Sequence, residues 1–217
     1  MTADERLALA EHAYHSATFG GDNAQLAVGA RALDALEADT ALARGRLVHA
    51  RYLAERVEQA EELALFERAA ALYRGLGDPR GEGEALFWTG TFHQVVRDDH
   101  DTALPLFTRA LELAEQADDR LTASYALRHL GFAEHMAGRL DRARARLEES
   151  TRLRRDLGFL PGVAANLVGL AHLATQQDRR EDAAALLDEA AELARRSGAH
   201  AVAGWIDGAR KETGLPG

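Results

Sequence analysis

The chain keeps a forty-residue beat. Ala103, Ala143 and Ala183 stand forty apart, as do Phe107, Leu147 and Leu187, and then Leu113, Leu153 and Leu193. Three stretches, Phe87 to Ala114, Leu127 to Arg154 and Leu167 to Ala194, superimpose without a gap. A period of this length marks a chain built from supersecondary units that stack on one another, because a single unit cannot bury its own apolar face. A second series at the same spacing, His12, Tyr52, Phe92, Phe132 and His172, runs along the other face of the first helix of each unit.

The units read as helical. Ala, Leu, Glu and Arg dominate, and all are good helix formers. No segment alternates like a half-buried strand. Pro79 and Pro161 fall in breaks, Pro105 falls near a helix start where its missing N–H does no harm, and Pro216 lies in the tail. Breaks are predicted at Gly20 to Asp22, Asp39-Thr40, Gly75 to Gly83, Asp98 to Asp101, Asp118-Asp119, Gly138-Arg139, Leu157 to Gly162, Gln177-Asp178 and Ser197-Gly198. They leave helices of about 14–18 residues, the usual length for stacked pairs. Pairing the helices gives one domain over residues 1–217, with hairpins at 3–38, 41–76, 82–117, 121–157 and 161–197 and a capping helix at 199–212. In that last helix Ala201, Val202, Trp205, Ile206 and Ala209 form one apolar side, with Trp205 expected to pack on the final repeat. Left uncovered, Trp205 would make an exposed patch suited to a homodimer contact.

Composition narrows the function. A net charge of −9, from 35 acidic and 26 basic residues, argues against nucleic-acid binding, which needs a basic footprint. Cysteine is absent, which excludes disulfides, thiolate metal sites and a cysteine nucleophile. No apolar run approaches the roughly 18 residues that span a bilayer, so no membrane insertion is expected. The start, MTADERLALAEHAYH, lacks a basic region followed by an apolar one, and a cytoplasmic location is expected. Lys211 is the only lysine; with abundant Ala, Gly and Arg this points to coding from a high-GC genome.

Motifs for chemistry are few. His12 and His15 are three apart beside Glu11, a spacing that shares a helix face, but no third metal ligand follows from the spacing. Asp98-Asp99-His100-Asp101 lacks the spaced oxygens and the glycine of a calcium loop. Asp101 falls instead where Asp141 and Glu181 fall, at the start of a second helix, where acids favour the helix dipole. There is no phosphate-cradling glycine loop, nucleophile elbow or dinucleotide fingerprint. Neither a metal nor a cofactor is expected.

The packing positions resemble those of tetratricopeptide repeats of slightly extended length. Leu130-Gly131, Gly138, Ala143, Leu147 and Ser150 carry the resemblance best, followed by Leu170-Ala171, Asp178, Ala183, Leu187 and Ala190, and by Gly90-Thr91, Asp98, Ala103, Phe107 and Ala110. Phe66, Ala69 and Leu72 fit with a slip of one residue, and the first unit is atypical, with Glu11 where a small residue is expected. The resemblance implies an all-α, right-handed α-solenoid whose first helices line a concave groove. Counting from the packing positions on a 3.6-residue period, that groove is expected to hold Tyr52, Glu55, Trp88, Phe92, Tyr125, Arg128, Phe132, His135 and His172. Tyr52, Trp88, Phe92, Tyr125 and Phe132 are five of the thirteen aromatics, more than a solvated helix face carries. The expected function is a non-enzymatic adaptor that holds a peptide segment or partner protein. Two alternatives stand beside it: the aromatics pack inside the stack, or they enclose a small organic ligand, with Glu55, Arg128 and His135 as an acid–base set.

Overall fold

Ten helices follow one another through short connections, with no strand among the described residues. The structure is a computed structural model and describes residues 1–214, so Pro216 lies outside the described residues. By the density of their contacts the helices fall into two compact units, Met1–Ala117 and the residues from Asp118 onward. The first holds α1 (Ala3–Gly20), α2 (Leu26–Glu55), α3 (Glu61–Leu76), α4 (Pro79–Thr91, continued by a π-helical turn at Phe92–Val96) and α5 (His100–Gln116). The second holds α6 (Arg120–Met136), α7 (Leu140–Asp156), α8 (Leu160–Gln176), α9 (Arg180–Ser197) and α10 (His200–Thr213). Within each unit consecutive helices pack together, and α10 packs on both α8 and α9. The architecture is the all-α, helical-hairpin one that the repeat spacing implies. No helix among the described residues is long and apolar enough to cross a membrane.

The turns carry a beat of twenty. Asp98, Asp118, Gly138, Gly158, Asp178 and Gly198 all adopt left-handed backbone, with φ between 52° and 72°. One left-handed residue lets the chain leave a helix in a single step, and glycine or a short acid tolerates that conformation best. The residue after it takes the N-cap position of the next helix. Asp99 accepts a hydrogen bond from Thr102 N, and Asp119 accepts from Leu121 N and Thr122 N. Each Asp-Asp pair is thus an exit followed by a cap.

The packing series behaves as its spacing implies. Ala103, Ala143 and Ala183 are fully buried, and Phe107, Leu147 and Leu187 are buried beside them. Each large side chain contributes about 1.5–3 kcal/mol by burial. Size is traded across the interface in the first unit. Gly90 stands where the later repeats have Leu130 and Leu170, and Phe107 stands where they have Leu147 and Leu187. A Cβ on Gly90 would lie 2.8 Å from the Phe107 ring, so the larger ring is admitted by the missing side chain.

Two expectations fail. The break at Asp39-Thr40 is absent, and α2 runs unbroken through it for 30 residues. Neither residue forces the chain out of the helix. Thr40 Oγ1 donates to Leu36 O at 2.8 Å, which satisfies the hydroxyl inside the helix. Asp39 accepts from Arg6 and, at 2.8 Å, from the Tyr73 hydroxyl, tying α1 and α3 to the middle of α2. The hairpins drawn at 3–38 and 41–76 therefore share one long helix. Trp205 is also misplaced, being 52% exposed instead of packed on the last repeat. Val202, Ile206, Ala209 and Thr213, spaced four, three and four apart, take the buried face of α10, and Trp205 sits about 100° round the helix from Ile206.

Candidate binding face

In the first unit the expected wall is uneven: Phe92 is core, Tyr52 and Trp88 are partly buried under their neighbours, and Glu55 is exposed. Phe92 is only 1% exposed, closed over by the Arg97 guanidinium 4.7 Å above its ring. It opens the π-helical turn, in which Arg97 N donates to Phe92 O, and that turn packs on α5. Phe92 is therefore no ligand contact, and its place in the forty-residue series with Phe132 does not give it the same surroundings. Trp88 stacks on Phe66 with ring centroids 5.9 Å apart, meets His49 edge-on at 5.5 Å, and carries Arg46 over its face. Tyr52 stacks on His49 and donates its hydroxyl to Val95 O at 3.2 Å. Glu55, the last residue of α2 before the left-handed Arg56, is exposed, so the desolvation that an acid–base role for it requires is missing.

Beneath these rings lies a pair that the sequence pattern did not single out. His49 Nδ1 and Glu62 Oε1 are joined by a 2.7 Å hydrogen bond in the core. Glu62 is fully buried and its Oε2 meets no partner. Burial pushes the Glu62 carboxyl above its ordinary range, against the hydrogen bond from His49, which lowers it. The signal was present in the spacing: Glu62, Phe66, Ala69 and Tyr73 share the buried face of α3, so an acid occupies a core position.

The second unit keeps an open face. Leu121, Tyr125, Arg128 and Phe132 follow one another down one side of α6, three or four apart, and His135 and Met136 lie three and four residues beyond Phe132 on that side. Phe132 is 43% and Met136 65% exposed, and Tyr125, Arg128 and His135 are partly exposed. His135 Nε2 lies 3.0 Å from Gln176 Oε1, which joins this side of α6 to α8, where the partly exposed His172 sits one turn before Gln176. The structure therefore sets Tyr125, Arg128, Phe132 and His135 along one side of α6, with His172 on the neighbouring α8. Two surface depressions of about 310 and 480 Å³ lie elsewhere, at α7–α9 (Arg144, Glu148, Asp182) and at α2–α3 (Leu36, Arg44, Arg68), and no expected wall residue lines either. His12 and His15 lie exposed on α1.

Arg128 leads inward from this face to a buried polar network. Its Nη1 donates to Ala165 O at 2.8 Å and to Asn166 Oδ1 at 3.0 Å. Arg154, only 2% exposed, donates from Nη1 to Gly162 O and to the same Asn166 Oδ1, both at 2.8 Å, and from Nε to Ser124 Oγ at 3.3 Å. Asn166 Nδ2 donates to Ser150 Oγ, which donates to Ser124 O, and this chain fixes which end of the amide is oxygen. The Arg154 guanidinium lies 5.0 Å from the Tyr125 ring centre and 5.7 Å from that of Phe159. Among the described residues neither arginine has a carboxylate within ion-pair distance. Burial lowers the pKa of Arg128 to about 10, and burial with repulsion from Arg128 lowers that of Arg154 to about 9. Both stay charged at neutral pH. Like charges that share one acceptor repel, the more so away from bulk water. Arg154 was legible in retrospect, since it occupies the forty-residue register of Ala114 and Ala194.

Residues 90–156, from the end of α4 to the end of α7, match the family model described as tetratricopeptide repeat. No curated protein matches the chain significantly.

Proposed function

We propose that this chain, which carries tetratricopeptide repeats over residues 90–156, is an adaptor that holds a peptide segment or a partner protein's surface on α6 and α8 of its second unit. The observation that carries this reading is the row formed by Phe132 and Met136 with the partly exposed Tyr125, Arg128 and His135. A helix side that serves only to meet water is polar, whereas this one alternates apolar and ionisable groups. Aromatic and arginine side chains are also the types that dominate binding energy at protein interfaces. The family resemblance favours a protein or peptide as occupant and a bacterial setting, which we place in the cytoplasm, with any regulatory output passing through the partner. Peptides selected from a displayed random library against the whole chain test the reading. Replacing Phe132 and Met136 by serine should weaken the selected peptides by about tenfold or more, equivalent to about 1.4 kcal/mol, while the far-UV helical signal persists. Selected peptides that all bind the substituted chain unchanged would remove it.

A further inference from the structure

We propose that the second unit contains an oxyanion site at Arg128 and Arg154, suited to the dianionic phosphate of a monoester with an apolar or aromatic body.

The repeat itself shows that this network is not needed for packing. Ser124, Arg128, Ser150, Arg154 and Asn166 occupy positions where the same chain, forty residues away, has Ala164, Val168, Ala190, Ala194 and Ala126. All five of those counterparts are buried. Helices of this kind therefore stack with apolar residues at these positions, and a purely structural role leaves two cations without a carboxylate partner, Arg154 buried and Arg128 partly so, without explanation. Burying charge without a counterion is unfavourable, and a bound anion removes that penalty.

The donors are arranged for such an anion. Asn166 Oδ1 takes one hydrogen from each Nη1, which holds the two guanidiniums in fixed positions. The Nη2 groups of both arginines and Nε of Arg128 have no acceptor among the described residues. Planar guanidinium forks bind phosphate oxygens in pairs, and two of them match a dianion in charge. Arg128 is partly exposed and gives access from the α6 face, while Arg154 lies behind it. Tyr125 and Phe159, both partly exposed and 5.9 Å apart edge to face, supply an apolar rim for the body of the ester.

The test is calorimetric titration of the whole chain, slightly above neutral pH, with phenyl phosphate, inorganic phosphate and benzoate. Phenyl phosphate should bind saturably at one site, and inorganic phosphate should compete with it. Arg128→Val and Arg154→Met should each weaken binding by about tenfold or more, with the helical signal retained. If either substitution prevents folding, Asn166→Asp is read instead: it places a carboxylate between the guanidiniums and should abolish binding in a folded chain. Inorganic phosphate binding as well as the ester identifies free phosphate as the source of the same chemistry. The proposal is overturned by no saturable phosphate binding at millimolar concentration, by benzoate binding better than either phosphate, or by unchanged affinity in the folded variants. The peptide reading is tested separately, because Phe132→Ser should leave phenyl phosphate binding intact.

Discussion

Glu62 lies 2.7 Å from His49 through Oε1 and Nδ1, fully buried, with its second carboxylate oxygen unpartnered. Because burial raises its pKa, Glu62 holds a proton in the native state over an interval above 4.5 in which the unfolded chain has already released it. The native state then binds more protons, so stability falls as pH rises through that interval. Glu62→Gln removes the titration. In urea melts the variant should gain on the wild type as pH rises above 4.5. A difference that stays constant with pH would contradict this.

Among the described residues Asn166 is the one acceptor that Arg128 and Arg154 share. Asn166→Ala leaves both guanidiniums short of a partner and should cost about 3 kcal/mol in chemical denaturation. Asn166→Asp supplies a charge that the pair lacks and should be at least as stable as the wild type. Equal destabilisation by both substitutions would show that the amide's shape, and not the uncompensated charge, governs this region.

Gly90 and Phe107 compensate each other in size. Gly90→Ala brings a methyl group within 2.8 Å of the ring and should cost about 2 kcal/mol. Phe107→Leu restores the side chain that the later repeats carry at that position, as Leu147 and Leu187. The double substitution should cost less than the two singles added, with a coupling of about 1–2 kcal/mol. Strict additivity would mean that the two residues do not meet as described.

The left-handed turns differ in strain. Asp178 is exposed at φ 58°, so Asp178→Gly should stabilise by about 0.5–1 kcal/mol. Gly138, at φ 72° with open space around it, should lose about 1 kcal/mol on conversion to alanine, for backbone reasons alone. Thermal unfolding reads both, at about 2–4 °C per kcal/mol for a chain of this size. A lower melting temperature for Asp178→Gly would overturn the strain argument.

Periodicity revealed the packing series because small and large residues must alternate wherever helices touch, and Ala103, Ala143 and Ala183 are buried alike. It could not reveal exposure on the other series. Phe92 and Phe132 share a register, yet one lies under Arg97 beside α5 while the other faces outward, since exposure depends on what else packs nearby. The Asp39-Thr40 break misled for a related reason: both side chains find partners that let α2 continue. The Arg154 and Asn166 positions were readable as departures from the repeat's own Ala194 and Ala126, but only once those positions were known to be buried.

The α6 face can be watched directly, because the chain has only two methionines, Met1 and Met136. With methyl-labelled methionine the whole chain gives two signals, one of them from the C-terminal end of α6. Addition of a library-selected peptide should shift or broaden the Met136 signal and leave Met1 unchanged, and Phe132→Ser should suppress the effect. An unmoved Met136 signal at saturating peptide would place binding elsewhere and contradict the assignment of this face.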